Sequence, residues 1–210
     1  MGIMSNSNQG MLTGLVGSVV FVKGKNGEAI VRSKPVYKKK ELTPKRQESC
    51  TRFRMVGAFI KPIYPFLKTS FTDWLEKRSV RDAVRSYTLT HAVKQEQGKP
   101  VIDYPKFLIS TGKRRAYHAI QQQRENTEVL LEWQPDSTQA FAHVNDLLSV
   151  VGYVPQTGAY VFFKACATRA AAQVQLELPE ALAAAPVHFW ATFSTPTGDS
   201  YAYSTYLGLL

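Results

Sequence analysis

Cysteine is scarce in this sequence. Cys50 and Cys166 are its only two cysteines, and they stand far apart without a CxxC spacing. Isolated cysteines of this kind favour buried free thiols over a disulfide, and free thiols fit a reducing compartment. We therefore expect no disulfide framework.

Long hydrophobic runs are also missing. No stretch reaches the roughly 18 apolar residues that a bilayer crossing requires. The first nine residues carry no Lys or Arg, and the apolar run that follows is interrupted by Gly14 and Gly17. A secretory signal has a positive start and an unbroken apolar centre. These absences predict a soluble, cytoplasmic protein without a membrane partner.

The motifs of common catalytic sites are absent. The sequence has no GxSxG and no HExxH, and Asn26 follows Gly24-Lys25 where a phosphate-binding loop has Ser or Thr. The four histidines lack metal-ligand spacing: His91, His118, His143 and His188. His143 and Asp146 resemble a general base and its orienting carboxylate, but no nucleophile accompanies them. We expect no enzymatic activity, no metal and no cofactor.

Basic residues are nearly missing from the second half of the chain. Residues 125–210 hold 2 of the 26 Lys and Arg but 8 of the 16 Asp and Glu, a net charge of −6. Residues 1–124 carry a net charge of +16. This asymmetry predicts an anionic partner, nucleic acid or another polyanion, for the first half. Two alternatives are a solvated basic face and packing of the basic half of one copy on the acidic half of another.

The first half reads as a hairpin followed by helices. Two β-rich runs, 18–22 and 29–32, flank Asn26-Gly27, a dipeptide that favours tight turns. Thr43-Pro44 predicts a helix start, and a stripe at helical spacing follows. That stripe consists of Phe53, Val56, Ile60, Ile63 and Leu67.

Further along, Pro62 and Pro65 are expected to end or kink this first helix. A second helix is predicted over roughly 72–95, capped by Ser70 or Thr72. A strand-like segment follows at 104–110, and the state of the basic, glutamine-rich stretch 113–124 stays open.

The second half has the pattern of an antiparallel β-sandwich. Short strands recur with turn signals between them, at 129–133, 147–154, 160–165, 173–178, 187–193 and 201–207. Val174, Leu176 and Leu178 alternate with polar residues, as one buried face requires. The predicted fold class is therefore α+β, with a basic hairpin-plus-helices region over 1–124 and a β-sandwich domain over 125–210.

The last 85 or so residues resemble a fibronectin type III or immunoglobulin-like sandwich. The likeness is carried by the Trp133 strand, Leu176–Pro179, the 187–193 strand and the Thr195–Gly198 turn. The corner tyrosine and the inter-sheet cysteine pair of such domains are missing.

The whole chain is also similar to a bacterial family of proteins of unknown function. The likeness rests on a Gly-rich start, Arg32–Pro35 at the end of the hairpin, a basic helix, Ile102–Tyr104 and Ser110–Gly112. The resemblance implies an architecture and no activity, so it assigns no functional residues.

The basic clusters are the one positive functional signal. They predict a non-enzymatic protein that binds nucleic acid or another polyanion through phosphate contacts. The alternative is a structural or adaptor subunit of a homo- or hetero-oligomeric assembly that docks through the sandwich. The predicted binding residues are Lys34, Lys38, Lys39, Lys40, Lys45, Arg46, Arg52, Arg54, Lys61, Lys113, Arg114 and Arg115.

Overall fold

The computed structural model describes residues 13–24, 28–36, 41–71 and 78–210. Contacts between residues divide the chain into two compact units, Met1–Thr43 and Pro44–Leu210. The sequence predicts a boundary between residues 124 and 125, a position that lies inside the second unit.

The first unit contains a small antiparallel sheet. Its strands are β1 (Gly14–Val16), β2 (Val19–Lys23) and β3 (Ala29–Ser33), in the order β1-β2-β3. Both strands of the predicted hairpin are present, whereas its Asn26-Gly27 turn lies outside the described residues. All five residues of β3 are exposed. None of the described residues of this unit is buried.

The second unit begins with helix α1 (Pro44–Ser70), which starts at the predicted Thr43-Pro44 position. Pro62 and Pro65, expected to end or kink the helix, do not end it, because α1 continues through both. Each proline leaves one backbone carbonyl without its helical partner. Pro62 and Pro65 are exposed, so water can satisfy those carbonyls while the opposite face of the helix packs on the core.

Helix α2 (Val80–His91) is shorter than the predicted helix over 72–95. Ser79 caps it, accepting a hydrogen bond from the Asp82 amide at 3.2 Å, so the predicted caps are wrong for this start. Ser70 is instead the last residue of α1 and donates to the Ile109 carbonyl at 2.6 Å. Residues 72–77, including Thr72 and Trp74, lie outside the described part.

A two-stranded hairpin follows α2, where the sequence predicts the end of a helix. Its strands are β4 (Val93–Glu96) and β5 (Lys99–Ile102). Gln97 and Gly98 both have positive φ, at 50° and 75°, as a two-residue hairpin turn requires. The strand predicted over 104–110 is also wrong: Tyr104–Lys106 forms a 3-10 turn containing Pro105.

Seven more strands complete the unit: β6 (Ala119–Glu125), β7 (Glu128–Trp133), β8 (Leu147–Val154), β9 (Ala159–Thr168), β10 (Gln173–Glu177), β11 (His188–Ser194) and β12 (Thr205–Leu209). They form two antiparallel sheets, ordered β10-β7-β6 and β12-β11-β8-β9. The protein is thus α+β, with two helices and several antiparallel sheets among its described residues. Strand β6 comes largely from the glutamine-rich stretch whose state the sequence left open.

The two sheets share one hydrophobic core. Trp133 and Leu131 of β7 meet Val150 of β8 and Phe189 and Phe193 of β11, all fully buried. The predicted alternation of Val174, Leu176 and Leu178 is confirmed, since these side chains join this core.

A second core covers the other face of the four-stranded sheet. Here the α1 residues Ile60, Ile63 and Leu67 pack with Val151 of β8 and Trp190 of β11. Strands β8 and β11 are therefore buried on both faces. The second unit has three layers: helices, four-stranded sheet and three-stranded sheet. The helices pack on the sheets and do not form a domain of their own.

The segment Ser110–Gly112 ties the helical layer to the sheets. The Ser110 hydroxyl bonds to the Thr192 hydroxyl at 2.7 Å and donates to the Ala202 carbonyl at 2.8 Å. The Thr111 amide donates to the Ser70 carbonyl at the end of α1. Gly112 lies against the Tyr201 backbone, so closely that a Cβ there would overlap the carbonyl oxygen and lie 2.8 Å from its carbon.

The contact at Gly112 predicts that Gly112→Ala destabilises the fold by about 3 kcal/mol or more, because the obstacle is backbone and cannot rotate away. Gly57→Ala is the matched control, since a Cβ at Gly57 would meet only the Arg85 guanidinium, at 3.8 Å. That change should stabilise α1 by about 0.5–1 kcal/mol. Urea unfolding followed by circular dichroism measures both, and equal midpoints would contradict the proposed contact.

Candidate nucleic-acid interface

The solvent face of α1 carries a row of cations. Arg54, Lys61 and Lys68 follow one another at seven-residue intervals, and all three are exposed. Seven residues are close to two helical turns, so these side chains share a face. That face is opposite the buried stripe of Ile63 and its neighbours. From Arg54 to Lys68 the row is about 21 Å long.

Two arginines of α2 extend this row sideways by stacking on aromatic rings of α1. The Arg81 guanidinium lies 4.4 Å from the ring centre of Tyr64, and the Arg85 guanidinium lies 4.5 Å from that of Phe53. Such stacking leaves the N–H edge of a guanidinium free for a planar anion while restricting its rotation. Phe53 is the one member of the predicted apolar stripe that is half exposed, because it packs under Arg85 and not in the core.

These cations have few carboxylates around them. Glu48 accepts a hydrogen bond from Gln95, and Asp82 bonds to the capping Ser79. Within the described part of the chain, no ion pair involves any cation of α1 or α2. We refer to six of them as the helical basic surface: Arg46, Arg54, Lys61, Lys68, Arg81 and Arg85.

Of the sequence-predicted residues, Arg54 and Lys61 share this row, and Arg46 is exposed near the start of the same helix. Lys45 is exposed in the first turn of α1. Arg52 instead joins the two helices, donating to the Leu89 carbonyl of α2 at 3.0 Å. Lys34 belongs to the first unit, and Lys38, Lys39 and Lys40 lie outside the described residues.

The second predicted patch, 113–115, contains two arginines that pair with the protein's own carboxylates. Arg115 Nε lies 2.9 Å from Asp136, and Arg114 lies 3.6 Å from Asp146. The hydrogen bond from Arg115 lowers the pKa of Asp136 below its usual value. Lys113 is exposed. Arg114 and Arg115 therefore have structural partners and do not form an open basic patch.

Asp146 is the centre of a buried polar cluster. Its Oδ2 accepts from Arg169 Nε at 3.2 Å and from the His143 amide at 3.0 Å, and both charged side chains are fully buried. Arg169 also donates to the Arg115 carbonyl and stacks 3.8 Å from the Phe193 ring centre. Burial lowers the pKa of Arg169, and Asp146 opposes that shift. Asp146 thus pairs with the Arg169 guanidinium. His143 contacts Asp146 through its backbone amide and not through its imidazole.

The cysteines are both free, as the sequence predicts, but only one of them is shielded. Cys50 is exposed on α1, so its predicted burial is wrong. Cys166 packs against the core between the sheets, and burial raises the pKa of its thiol to about 11. A protonated thiol of this kind is a weak nucleophile.

Lys68, Arg81 and Arg85 are members of the surface that sequence reasoning missed. The seven-residue interval from Lys61 was a signal for Lys68. The i, i+4 spacing of Arg81 and Arg85 was a signal for one helix face, but the packing of α2 beside α1 could not be read from spacing.

The described residues define a class: an α+β protein with two helices, several antiparallel sheets and a basic helical face. Residues 11–208 match the model of a family of unknown function (DUF6266), and the chain belongs to that family. The predicted membership of an unknown-function family is thereby confirmed. No curated protein and no solved structure matches the chain. Neither described helix has the length and apolarity to span a membrane.

The Asp146–Arg169 pair predicts a large effect of Asp146→Asn on stability. The variant leaves a buried guanidinium without its counter-charge, which costs about 3–5 kcal/mol. Asp199→Asn, at an exposed carboxylate, should change the free energy of unfolding by less than about 0.5 kcal/mol. Chemical denaturation of the three proteins provides the measurement, and similar midpoints for all three would contradict the role of the pair.

Proposed function

We propose that this protein is a non-enzymatic binding protein that engages nucleic acid or another polyanion through the helical basic surface. The observation that carries the proposal is the row Arg54, Lys61 and Lys68, exposed on one helix face without a carboxylate partner among the described residues. Phosphate contacts require only such point charges and guanidinium groups, and they do not read base sequence.

The stacked arginines support the same proposal. A guanidinium held on an aromatic ring loses less side-chain entropy when it binds a phosphate, because its plane is already oriented. Two such groups lie beside the row of Arg54, Lys61 and Lys68: Arg81 on Tyr64 and Arg85 on Phe53. Phe53 is 50% exposed, so part of its side chain is available for contact with an unpaired base.

In this proposal the sheets support the helical basic surface. We infer that they form a sandwich of the immunoglobulin or fibronectin type III kind. Support comes from the three-plus-four arrangement, in which the chain changes sheet after β7, β9 and β10, and from Trp133 buried between the sheets. On this view the sandwich fixes α1 rigidly through Trp190 and Val151.

The affinity for DNA should fall steeply with salt and should depend on the row of Arg54, Lys61 and Lys68. The triple variant Arg54→Gln, Lys61→Gln, Lys68→Gln should bind a DNA duplex at least about tenfold more weakly at low salt. Each lost phosphate contact should flatten the plot of log affinity against log salt by about 0.9. Fluorescence anisotropy with duplexes of two unrelated sequences measures both quantities.

A charge-matched control removes three exposed cations elsewhere in the second unit: Lys94→Gln, Lys99→Gln and Lys106→Gln. Lys94 and Lys106 already pair with Glu96 and Asp103, so this variant should retain most of the affinity. Equal losses in the two triple variants would show that net charge alone drives binding. No binding of wild type to DNA or to heparin at low salt would refute the proposal.

The stacks themselves can be tested without changing charge. Arg81→Lys and Arg85→Lys together keep the net charge but lose the planar guanidinium and its second N–H edge. We expect affinity to fall by about threefold to tenfold, with little change in the salt slope. The comparison is Arg78→Lys, at an exposed arginine, and an equal effect there would argue against the stacks.

A further inference from the structure

The outer face of the three-stranded sheet is acidic. Alternate side chains of β7 and β10 enter the core. The other residues of these two strands, with the β6 residues paired beside them, form three rows of three on the outer face. These nine residues, which we call the acidic sheet face, are Gln121, Gln123, Glu125, Glu128, Leu130, Glu132, Gln173, Gln175 and Glu177. Four are carboxylates, four are amides, and none is Lys or Arg.

The strand register places like charges side by side. Glu128 of β7 is directly opposite Glu125 of β6 on one side and Glu177 of β10 on the other. Directly opposed carboxylates across neighbouring strands are destabilising. Among the described residues, none of these three is in an ion pair. A cationic partner laid across this row would relieve the repulsion.

The acidic sheet face has a depression between its middle row and the row of Glu128 that can receive a long cationic side chain. This shallow depression of about 190 Å³ is lined by Gln123, Glu125, Glu128, Leu130 and Gln175. Leu130 offers an apolar floor for the methylene stem of a Lys or Arg, and the carboxylates at the rim would receive its charged head.

The complementary surface is on the same molecule. The helices cover one side of the four-stranded sheet, and the three-stranded sheet covers the other. The helical basic surface and the acidic sheet face therefore lie on opposite outer sides of the second unit. The helical basic surface has six cations, and the acidic sheet face has four carboxylates, so the two surfaces have opposite charge.

From this complementarity we propose that the acidic sheet face of one copy docks on the helical basic surface of a second copy. The inference depends on the proposed function only in sharing that basic surface, for which a polyanion and a second copy then compete. Because the two surfaces differ, the contact is head-to-tail and leaves one free surface of each kind. Assembly continues into open chains or a ring and does not end at an isologous dimer.

The first test measures the full-length protein by sedimentation velocity. At low salt the weight-average sedimentation coefficient should rise with protein concentration, and at high salt it should return to the monomer value. The triple variant Glu125→Gln, Glu128→Gln, Glu177→Gln keeps side-chain shape and removes the charges, and it should stay monomeric. The control Glu96→Gln, Glu180→Gln, Asp199→Asn alters three exposed carboxylates elsewhere and should assemble like wild type.

A charge swap excludes misfolding as the cause of any loss. One variant carries Arg54→Glu, Lys61→Glu and Lys68→Glu, and the other carries Glu125→Lys, Glu128→Lys and Glu177→Lys. Each alone should be monomeric. In the first variant three Glu offset Arg46, Arg81 and Arg85, so its helical surface has no net charge, and in the second variant both surfaces are positive. An equimolar mixture should assemble, because the second variant keeps the helical basic surface and the first keeps the acidic sheet face. Restored assembly in the mixture requires two folded partners in contact through these surfaces.

The outcomes separate this inference from the proposed function. A wild type that is monomeric at every concentration at low salt, or assembly unchanged by the glutamine variant, overturns the docking. Monomers that bind a short polylysine through the acidic sheet face would assign a foreign basic partner and also overturn it. If assembly fails while DNA binding persists, only the inference falls; if assembly occurs without DNA binding, only the proposed function falls. If both the docking and the proposed function hold, an added oligonucleotide should dissociate the assemblies.

Discussion

Burial of strands β8 and β11 on both faces is the constraint on which the rest of this structure depends. Val150 and Phe189 point into the core between the sheets, while their sequence neighbours Val151 and Trp190 point under the helices. A two-sheet unit normally has polar outer faces. Here one outer face is apolar and must be covered, so α1 is held there from Val56 to Ser70. Its solvent side, with the cations, is consequently fixed in position.

Charge counts do not separate surface cations from structural ones, and the Asp146 cluster shows why. Arg114, Arg115 and Arg169 look like equivalent basic residues in the sequence. In the structure, Arg169 is fully buried and the other two approach Asp146 and Asp136. A buried guanidinium costs several kcal/mol unless it is paired and hydrogen-bonded. Two arginines of the basic first half are therefore paired with carboxylates of the acidic second half within one molecule, whereas the cations of the helical basic surface have no such partner among the described residues.

Features set by local patterns could be predicted from the sequence, and features set by tertiary contacts could not. Alternation identified β7 and β10, and Thr43-Pro44 identified the start of α1. The hairpin β4–β5 escaped prediction because Gln97, a non-glycine residue, adopts positive φ. Pro62 and Pro65 remain helical because core packing of Ile60, Ile63 and Leu67 outweighs two lost hydrogen bonds. The arginines of α2 joined the candidate surface only through their stacking on α1, which no spacing in the sequence reveals.

The chemistry of the helical basic surface suits partners that exchange. Apart from the partly buried Arg85, its charges are exposed and therefore screened by salt, so in the proposed function each contact would contribute little by itself and the affinity would come from several acting together. The stacked arginines limit the entropy lost on binding without adding a buried charge that would need permanent compensation. A buried pair such as Asp146–Arg169 has the opposite properties, because it is shielded from salt and fixed in geometry. The protein thus uses the same residue types for two purposes, and burial decides which cations hold the fold together and which remain free for a partner.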